Sequence, residues 1–369
     1  MPKLSDVCTK ATSNIAQKDL DARNGAYPIY GASGFIKNVD FYHQDKPYIA
    51  IVKDGAGVGR VMQLPAKSSV IGTMQYIIPK DDVNVEYLAY ALENMNLAKY
   101  YSGATIPHIY FKDYCTEELP ARSADEQGHI ASLLNQISYL ISLRKQQLSK
   151  LDELVKSRFI EMFGDPKHNP YGWRVVNITE VVGGKVTNGF FAKRDEYIDD
   201  GNVSVLGVVN IVNRLYSKIT DLPRTKGTTL DIQKYGVRYG DMLFCRSSLV
   251  AEGIGKASVV PYDVPPNTLF ECHVIRLPLD LNKCVPEFMQ VLSTTDYFRN
   301  QIISQSKTAT MTTIGQDGIL KTMIILPPIE KQKCFLEFVK QIDKSKFEIQ
   351  QSLEKLETLK KALMQKYFG

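Results

Sequence analysis

Two stretches of the chain place an apolar residue at every seventh position. In the first, Ile141, Leu148, Val155 and Met162 keep this spacing, with Leu151 on the same stripe. In the second, Ile349, Leu356 and Leu363 keep it, flanked by Leu353 and Tyr367. Lys, Arg, Gln and Glu fill the positions between, and neither stretch contains proline. Sustained heptad spacing of this kind predicts long helices that share a coiled-coil seam. The helices are expected over 126–164 and 330–369, each about 57 Å long at roughly 1.5 Å per residue. Arg144, Arg158, Lys346 and Lys360 interrupt the stripes, so the packing is not uniform along them. One stripe cannot exclude water alone, so each helix needs a partner, and the nearest partner is the other helix.

The two stretches are copies. Gln127 and Gln332, Ile137 and Ile342, Leu151 and Leu356, and Gly164 and Gly369 are all 205 residues apart, with no gap between them. A match at fixed offset marks a duplicated unit. The duplication extends upstream, since Leu4-Ser5-Asp6-Val7 and Ile178-Thr179-Glu180-Val181 share a short pattern 174 residues apart. The expected layout is a globule over 1–125, a helix over 126–164, a larger globule over 165–329 and a helix over 330–369. The fold class is α+β.

Within the globules, short apolar runs bounded by turn residues predict strands. They fall at Tyr48–Val52, Val58–Leu64 and Gln75–Ile78, then at Val203–Val209, Met242–Cys245 and Ala257–Val260. Short strands are expected before each long helix, at Glu118–Pro120 and Met323–Pro327. Helical periodicity covers Val85–Tyr101 and Pro286–Ser304. Hydroxyl-rich loops follow, Ser102–Tyr114 and Lys307–Gly315, and Ile109 and Ile314 within them are again 205 apart. Phe163-Gly164-Asp165-Pro166 stops the first long helix, as Pro after Gly does.

Composition narrows the functional classes. A mean hydropathy of −0.18 with 44% hydrophobic residues describes a water-soluble chain able to form real cores. No apolar run reaches the roughly 18 residues of a membrane span, and the N-terminal stretch lacks the apolar segment of a signal peptide. The six cysteines are scattered without a C-x-x-C pair, which fits a reducing cytoplasm. Cys272 and His273 are adjacent, but no second pair stands at ligand spacing, so no metal is expected. The net charge of +5 divides as −1, +1, +2 and +3 over the four segments. So mild a balance does not announce a nucleic-acid binder. If DNA is the partner, cations must cluster locally or another subunit must neutralise phosphates.

Lys53-Asp54-Gly55-Ala56-Gly57-Val58-Gly59-Arg60 follows a strand and invites a nucleotide-loop reading, the mark of an enzyme holding a nucleotide or S-adenosylmethionine at Gly55–Gly59. That reading requires a helix after the loop. Val58–Leu64 alternates and meets Pro65, which predicts a strand instead. The second globule matches it with Arg246-Ser247-Ser248 and then Gly253-Ile254-Gly255-Lys256. Strand, loop, Gly-x-Gly, base and strand recur in both, an arrangement that suits a phosphate backbone or groove as well as a plain hairpin. The motifs G-x-x-x-x-G-K-[ST], H-E-x-x-H and G-x-S-x-G are absent. Asn169-Pro170-Tyr171 lacks the second proline of an amino-methyltransferase motif. His108 alone is weak evidence for catalysis.

With its duplicated globule and helix, Tyr30-Gly31-Ala32-Ser33-Gly34, Gly240-Asp241-Met242-Leu243, Leu326-Pro327-Pro328, Met162-Phe163-Gly164-Asp165-Pro166 and Gly172-Trp173, the chain resembles the specificity subunits of type I restriction–modification systems. The resemblance covers essentially the whole sequence. It departs at Asn188-Gly189-Phe190-Phe191, where many relatives carry a Gly-Thr-Pro-Ser type of turn, and at Lys53-Asp54, where the second copy has Arg246-Ser247. It implies two target recognition domains in tandem, each reading half of a split DNA site. It also implies an antiparallel coiled coil that sets the distance between the halves and docks two modification (methyltransferase) subunits, to which restriction subunits are added. This chain would be non-catalytic and hold no cofactor. S-adenosylmethionine would be bound by the partner subunits, which methylate adenine. Candidate DNA-reading residues are Tyr30, Ser33, Lys53, Arg60, Gln75, His108 and Lys112 in the first domain. In the second they are Arg246, Ser247, Ser248, Lys256, Lys307, Thr308, Thr310 and Thr312. Arg suits guanine and Gln suits adenine as bidentate partners.

Overall fold

The structure is a computed structural model, and it describes residues 1–103 and 107–369. The chain divides into two compact units. Unit 1 comprises Met1–Gln147 with Ile349–Gly369, and unit 2 comprises Leu148–Glu348. The division falls inside both long helices, so the compact units cut across the sequence segments that end at 125, 164 and 329.

Unit 1 is built on a four-stranded antiparallel sheet in the order Cys8–Thr12, Met74–Pro79, Tyr48–Val52, Val61–Leu64. Tyr48–Val52 lies inside it and is buried at all five positions. The alternation of a strand explains how. Ile49 and Ile51 face one core with Leu88, Leu92 and Tyr114. Tyr48, Ala50 and Val52 face another with Val70, Met74 and Tyr76. A strand covered on both faces reads as one continuous apolar run. A smaller sheet joins Gly34–Val39, Tyr27–Gly31 and Ser69–Val70.

Unit 2 repeats the plan. Its four-stranded antiparallel sheet runs Ala257–Val259, Asp241–Cys245, Val274–Pro278, Thr187–Asn188. Met242 and Phe244 face the main core with Phe288 and Leu292. Leu243 and Cys245 face a second core with Leu206 and Phe270. In the small sheets some strands pair in parallel, Val203–Leu206 alongside Thr268–Phe270 and Tyr27–Gly31 alongside Ser69–Val70.

Several elements are shorter than their sequence patterns. The strand expected from Val58 begins at Val61, because a turn occupies 55–59. The strand from Val203 ends at Leu206, and a helical turn over Val208–Ile211 follows. Glu118 makes only an isolated bridge to Lys3. The helix from Val85 ends at Asn94, with Asn96 in the left-handed region at φ 48° before a further turn at Leu97–Tyr100. The helix from Pro286 is two helices, Pro286–Ser293 and Asp296–Gln305, the second capped by the Thr295 hydroxyl.

The long helices are Ala124–Phe163 and Ile329–Phe368, 40 residues each, or about 60 Å. They pair antiparallel. In unit 1, Arg144 Nε donates to Ser352 Oγ at 3.2 Å and Lys145 pairs with Glu357 at 3.0 Å. In unit 2, Lys346 pairs with Asp152 at 2.6 Å. Within unit 1 Leu134 clusters with Leu363 while Arg144 reaches Ser352. Within unit 2 Asp152 reaches Lys346 while Phe159 packs on Phe335. In each unit, therefore, numbers rise on one helix as they fall on the other. Fully buried positions lie where a head packs on the helices. Ile130, Ala131 and Leu134 meet Tyr87, Tyr90 and Leu363 in unit 1. Phe159 and Phe163 meet Phe288 and Phe335 in unit 2. Of the expected seam, Leu353 is buried, while Ile141, Leu148, Leu151, Val155, Met162, Ile349, Leu356 and Leu363 are half-buried. Val155 and Met162 also pack against the unit 2 core. Two helices alone can cover only one side of each stripe, which is why the middle stays half open. No described helix is long and apolar enough to cross a membrane.

Candidate nucleic-acid interface

In each unit an inner strand of the main sheet ends in a loop, and a returning segment is stitched to that loop by backbone hydrogen bonds, one of which is equivalent in the two units. Ile109 N–H donates to the Lys53 carbonyl at 2.9 Å, and Ile314 N–H donates to the Arg246 carbonyl at 3.0 Å. The hairpin is closed alike in both. Gly59 N–H donates to the Val52 carbonyl and Gly255 N–H to the Cys245 carbonyl, each at 2.8 Å. The frame is duplicated, but the side chains mounted on it are not.

In unit 1 the glycine loop is a turn. Gly55, Gly57 and Gly59 all have φ between 84° and 87°, a region that glycine enters without strain. A Cβ on Gly59 would also stand 2.5 Å from the backbone nitrogen of Ala98. The strand Val61–Leu64 follows, pairing antiparallel with Tyr48–Val52. The helix that a nucleotide loop needs is therefore replaced by a hairpin, and the nucleotide-enzyme reading of Gly55–Gly59 loses its structural basis. Beside this loop, His108 Nδ1 lies 2.7 Å from Asp54 Oδ1, and Lys53 Nζ lies 3.6 Å from Asp54 Oδ2. The Tyr110 ring stacks near His108 at 6.5 Å, and Lys112 Nζ lies 5.5 Å from that same ring. Lys53, His108 and Lys112 are thus brought into one cluster. The His108 ring is oriented through Nδ1, and its Nε2 has no partner among the described residues.

A second group forms around the hairpin tip at 31–34. Arg60 Nη1 donates to the Ala32 carbonyl at 2.9 Å, which ties the glycine loop to that tip. Tyr30 packs edge-on to the exposed Phe35, with ring centroids 6.0 Å apart, and Ser33 is exposed in the turn. Gln75 does not belong to either group. It is buried, and its Oε1 accepts from the Tyr114 hydroxyl at 2.8 Å inside the core. It therefore cannot present its amide to a base edge, which corrects the expectation. The hydroxyl-rich loop includes Ala104, Thr105 and Ile106, which lie outside the described residues.

In unit 2 the face is a small ribbon. Ser247–Ser248 pairs with Thr312–Thr313, which pairs in turn with Lys307–Thr308. Arg246 Nη1 donates to the Cys272 carbonyl at 3.2 Å, and His273 Nδ1 lies 3.3 Å from Ser247 Oγ. Lys307, Thr308 and Thr310 are exposed. Thr312 is buried at 2% exposure, its hydroxyl 3.0 Å from that of Thr308. Its neighbour Thr313 is the exposed one, so alternation corrects Thr312 by one residue. Lys256 turns elsewhere. Its Nζ donates to Asn213 Oδ1 at 2.7 Å, and it lines a cavity with Lys156 and Lys346.

Sequence reasoning missed Tyr110, His273 and the loop tip Leu249-Val250, where Leu249 is 82% exposed. Cys272-His273 was visible as a pair but read only for metal. Among the described residues no group of three His, Cys, Asp or Glu side chains stands at metal-binding distance. The neutral hydroxyls, amphiphilic aromatics and local cations of both faces are the groups that contact phosphates and base edges.

Known proteins carry the same pattern. Residues 1–153 and 170–361 match the family model described as the type I restriction modification DNA specificity domain. The specificity subunit of the type I restriction enzyme MjaVIII of Methanocaldococcus jannaschii is 24% identical over 336 residues, covering 86% of this chain and 77% of that protein. The StySPI specificity subunit of Salmonella potsdam is 22% identical over 340 residues, covering 86% and 72%. The crystal structure of the type I restriction–modification S subunit from M. genitalium shares the fold, with a TM-score of 0.63 at 13% identity, covering all of this chain and 95% of that one. The chain belongs to the type I restriction–modification DNA specificity family.

Proposed function

We propose that each unit reads one half of a bipartite DNA site and that the paired helices set the gap between the halves. The observation that carries this is the duplicated stitch, Ile109 to Lys53 and Ile314 to Arg246. One backbone frame holds an imidazole–carboxylate–aromatic set in unit 1 and a guanidinium–hydroxyl set in unit 2. A frame that is kept while its side chains differ suits two different half-sites. Reading both multiplies discrimination, because each wrong base pair costs about 1–3 kcal/mol.

The chain itself is the non-catalytic reader of a larger complex. Two modification (methyltransferase) subunits dock on it, bind S-adenosylmethionine and methylate adenine, and restriction subunits join that core. Two surface features support partners. The net charge of +5 leaves much of the phosphate neutralisation to other subunits. Leu154 and Leu359, which occupy equivalent places in the two helix copies, are 45% and 47% exposed. Equivalent apolar positions suit two copies of one partner.

The test is a seven-residue insertion near Gln147, in the chain co-expressed with its modification subunit. Mapping methylated adenines should show a longer gap with both half-sites unchanged. An unchanged gap would refute the ruler.

A further inference from the structure

Unit 2 holds a cavity of about 390 Å³ that DNA reading does not use. Its walls come from the long-helix halves within unit 2, from residues 213–215 and from the helix Pro286–Ser293 with the residues just after it. Five cations line it, namely Lys156, Arg214, Lys256, Arg299 and Lys346, against two carboxylates, Asp152 and Asp343. Asp152 is already engaged by Lys346 at 2.6 Å. Among the described residues Lys256 is held only by the neutral amide oxygen of Asn213. Arg299 donates one nitrogen to the Glu252 carbonyl at 3.1 Å, and its Nη1 is buried without a partner among the described residues. Arg214 and Lys156 are exposed at the rim and form no ion pair among those residues. Burial pushes the Arg299 guanidinium down. Val155, Val291 and Ile342 add an apolar floor.

The balance of the lining is three positive charges. Cations gathered in a concave, partly desolvated site concentrate anions there. A single carboxylate would leave most of that charge unmet, whereas a group with several anionic oxygens meets it, and the arginine fork matches phosphate geometry. The volume lies within the roughly 300–1,000 Å³ of small-molecule sites. We propose that this cavity binds a phosphate-bearing small molecule of the nucleoside diphosphate class. Its phosphates lie among Arg214, Lys156 and Lys346, and its ring rests on the apolar floor.

The experiment is titration calorimetry on the full chain with ADP, pyrophosphate and adenosine, and with a short DNA duplex as competitor. The double variant R214A/K156A is compared, with its unfolding midpoint checked through Trp173 to establish that it folds. The expected result is saturable ADP binding, with pyrophosphate weaker and adenosine weaker still. The variant should lose at least about tenfold in ADP affinity, the scale of one charge-assisted hydrogen bond. The absence of saturable binding by ADP would overturn the proposal. So would adenosine binding as tightly as ADP, or ADP affinity unchanged in the folded variant. Loss of duplex binding in a variant whose wild type ignores ADP would assign the cations to nucleic-acid phosphates and overturn it equally.

Discussion

The side-chain carbonyl of Gln332 accepts a 2.9 Å hydrogen bond from the backbone N–H of Val285, the residue that starts the helix Pro286–Ser293. Gln332 is fully buried, and its amide nitrogen also donates to the Pro327 carbonyl at 2.8 Å. Gln127 does the same in unit 1. It accepts from Asn84 N–H at 2.9 Å and donates to the Arg122 carbonyl at 3.0 Å. Amide groups at a helix start lack intrahelical partners, so each glutamine ties the start of a long helix to the start of a helix in its head.

Removing this tie leaves a buried N–H unpaired, at a cost of about 1–3 kcal/mol. Trp173 is the sole tryptophan and lies in unit 2, where its indole nitrogen donates to the Phe163 carbonyl. Gln332→Ala should lower the urea midpoint followed by Trp173 fluorescence, and Gln127→Ala should leave that midpoint in place. Equal shifts in both would mean that the units do not unfold separately.

Glu287 is 1% exposed, with the Tyr216 and Tyr239 hydroxyls donating to its Oε1 at 2.9 and 3.3 Å. Burial nevertheless raises its carboxyl above the ordinary 4.5, and Oε2 has no partner among the described residues. Above pH 4.5 the folded state therefore keeps a proton that the unfolded state has lost. Stability from this group falls as pH rises from 4.5 through the folded value, and levels off above it. Glu287→Gln cannot ionise, so its stability relative to the parent should improve across that window. A difference that is flat with pH from 4 to 8 would contradict the raised carboxyl.

Leu154 and Leu359 should each support one partner subunit. An unpaired charge buried in the centre of such a contact costs on the order of several kcal/mol of association. Leu154→Glu and Leu359→Glu should each reduce the modification subunits bound per chain from two to one, as read by native mass spectrometry, and the double variant should bind none. Two subunits retained in the double variant would place docking elsewhere.

The parts of the fold that were legible in the sequence are those set by local pattern. The 205-residue offset exposed the duplication, and heptad spacing exposed both 40-residue helices. Tyr48–Val52 stood out because both of its faces are buried. Illegible features depend on neighbours distant in sequence. Gln75 looks like a reader until Tyr114 is placed against it. Thr312 and Thr313 exchange roles with a shift of one residue in strand register, which only the pairing with Ser247–Ser248 fixes. Apolar periodicity runs through the breaks at Asn96 and at Thr294-Thr295, so it gave no sign of them. The partnership of His108 with Asp54 spans 54 positions and had no sequence signature.

The most direct measurement is a genome-wide map of methylated adenines from the chain co-expressed with its modification subunit, repeated for two variants. His108→Ala carries its change in unit 1, and Arg246→Ala carries its change in unit 2. The parent should give one motif in two parts with a fixed gap, and each variant should alter a different part while leaving the gap and the other part intact. A motif without a gap, or both parts altered together by either substitution, would contradict two separate readers on one chain.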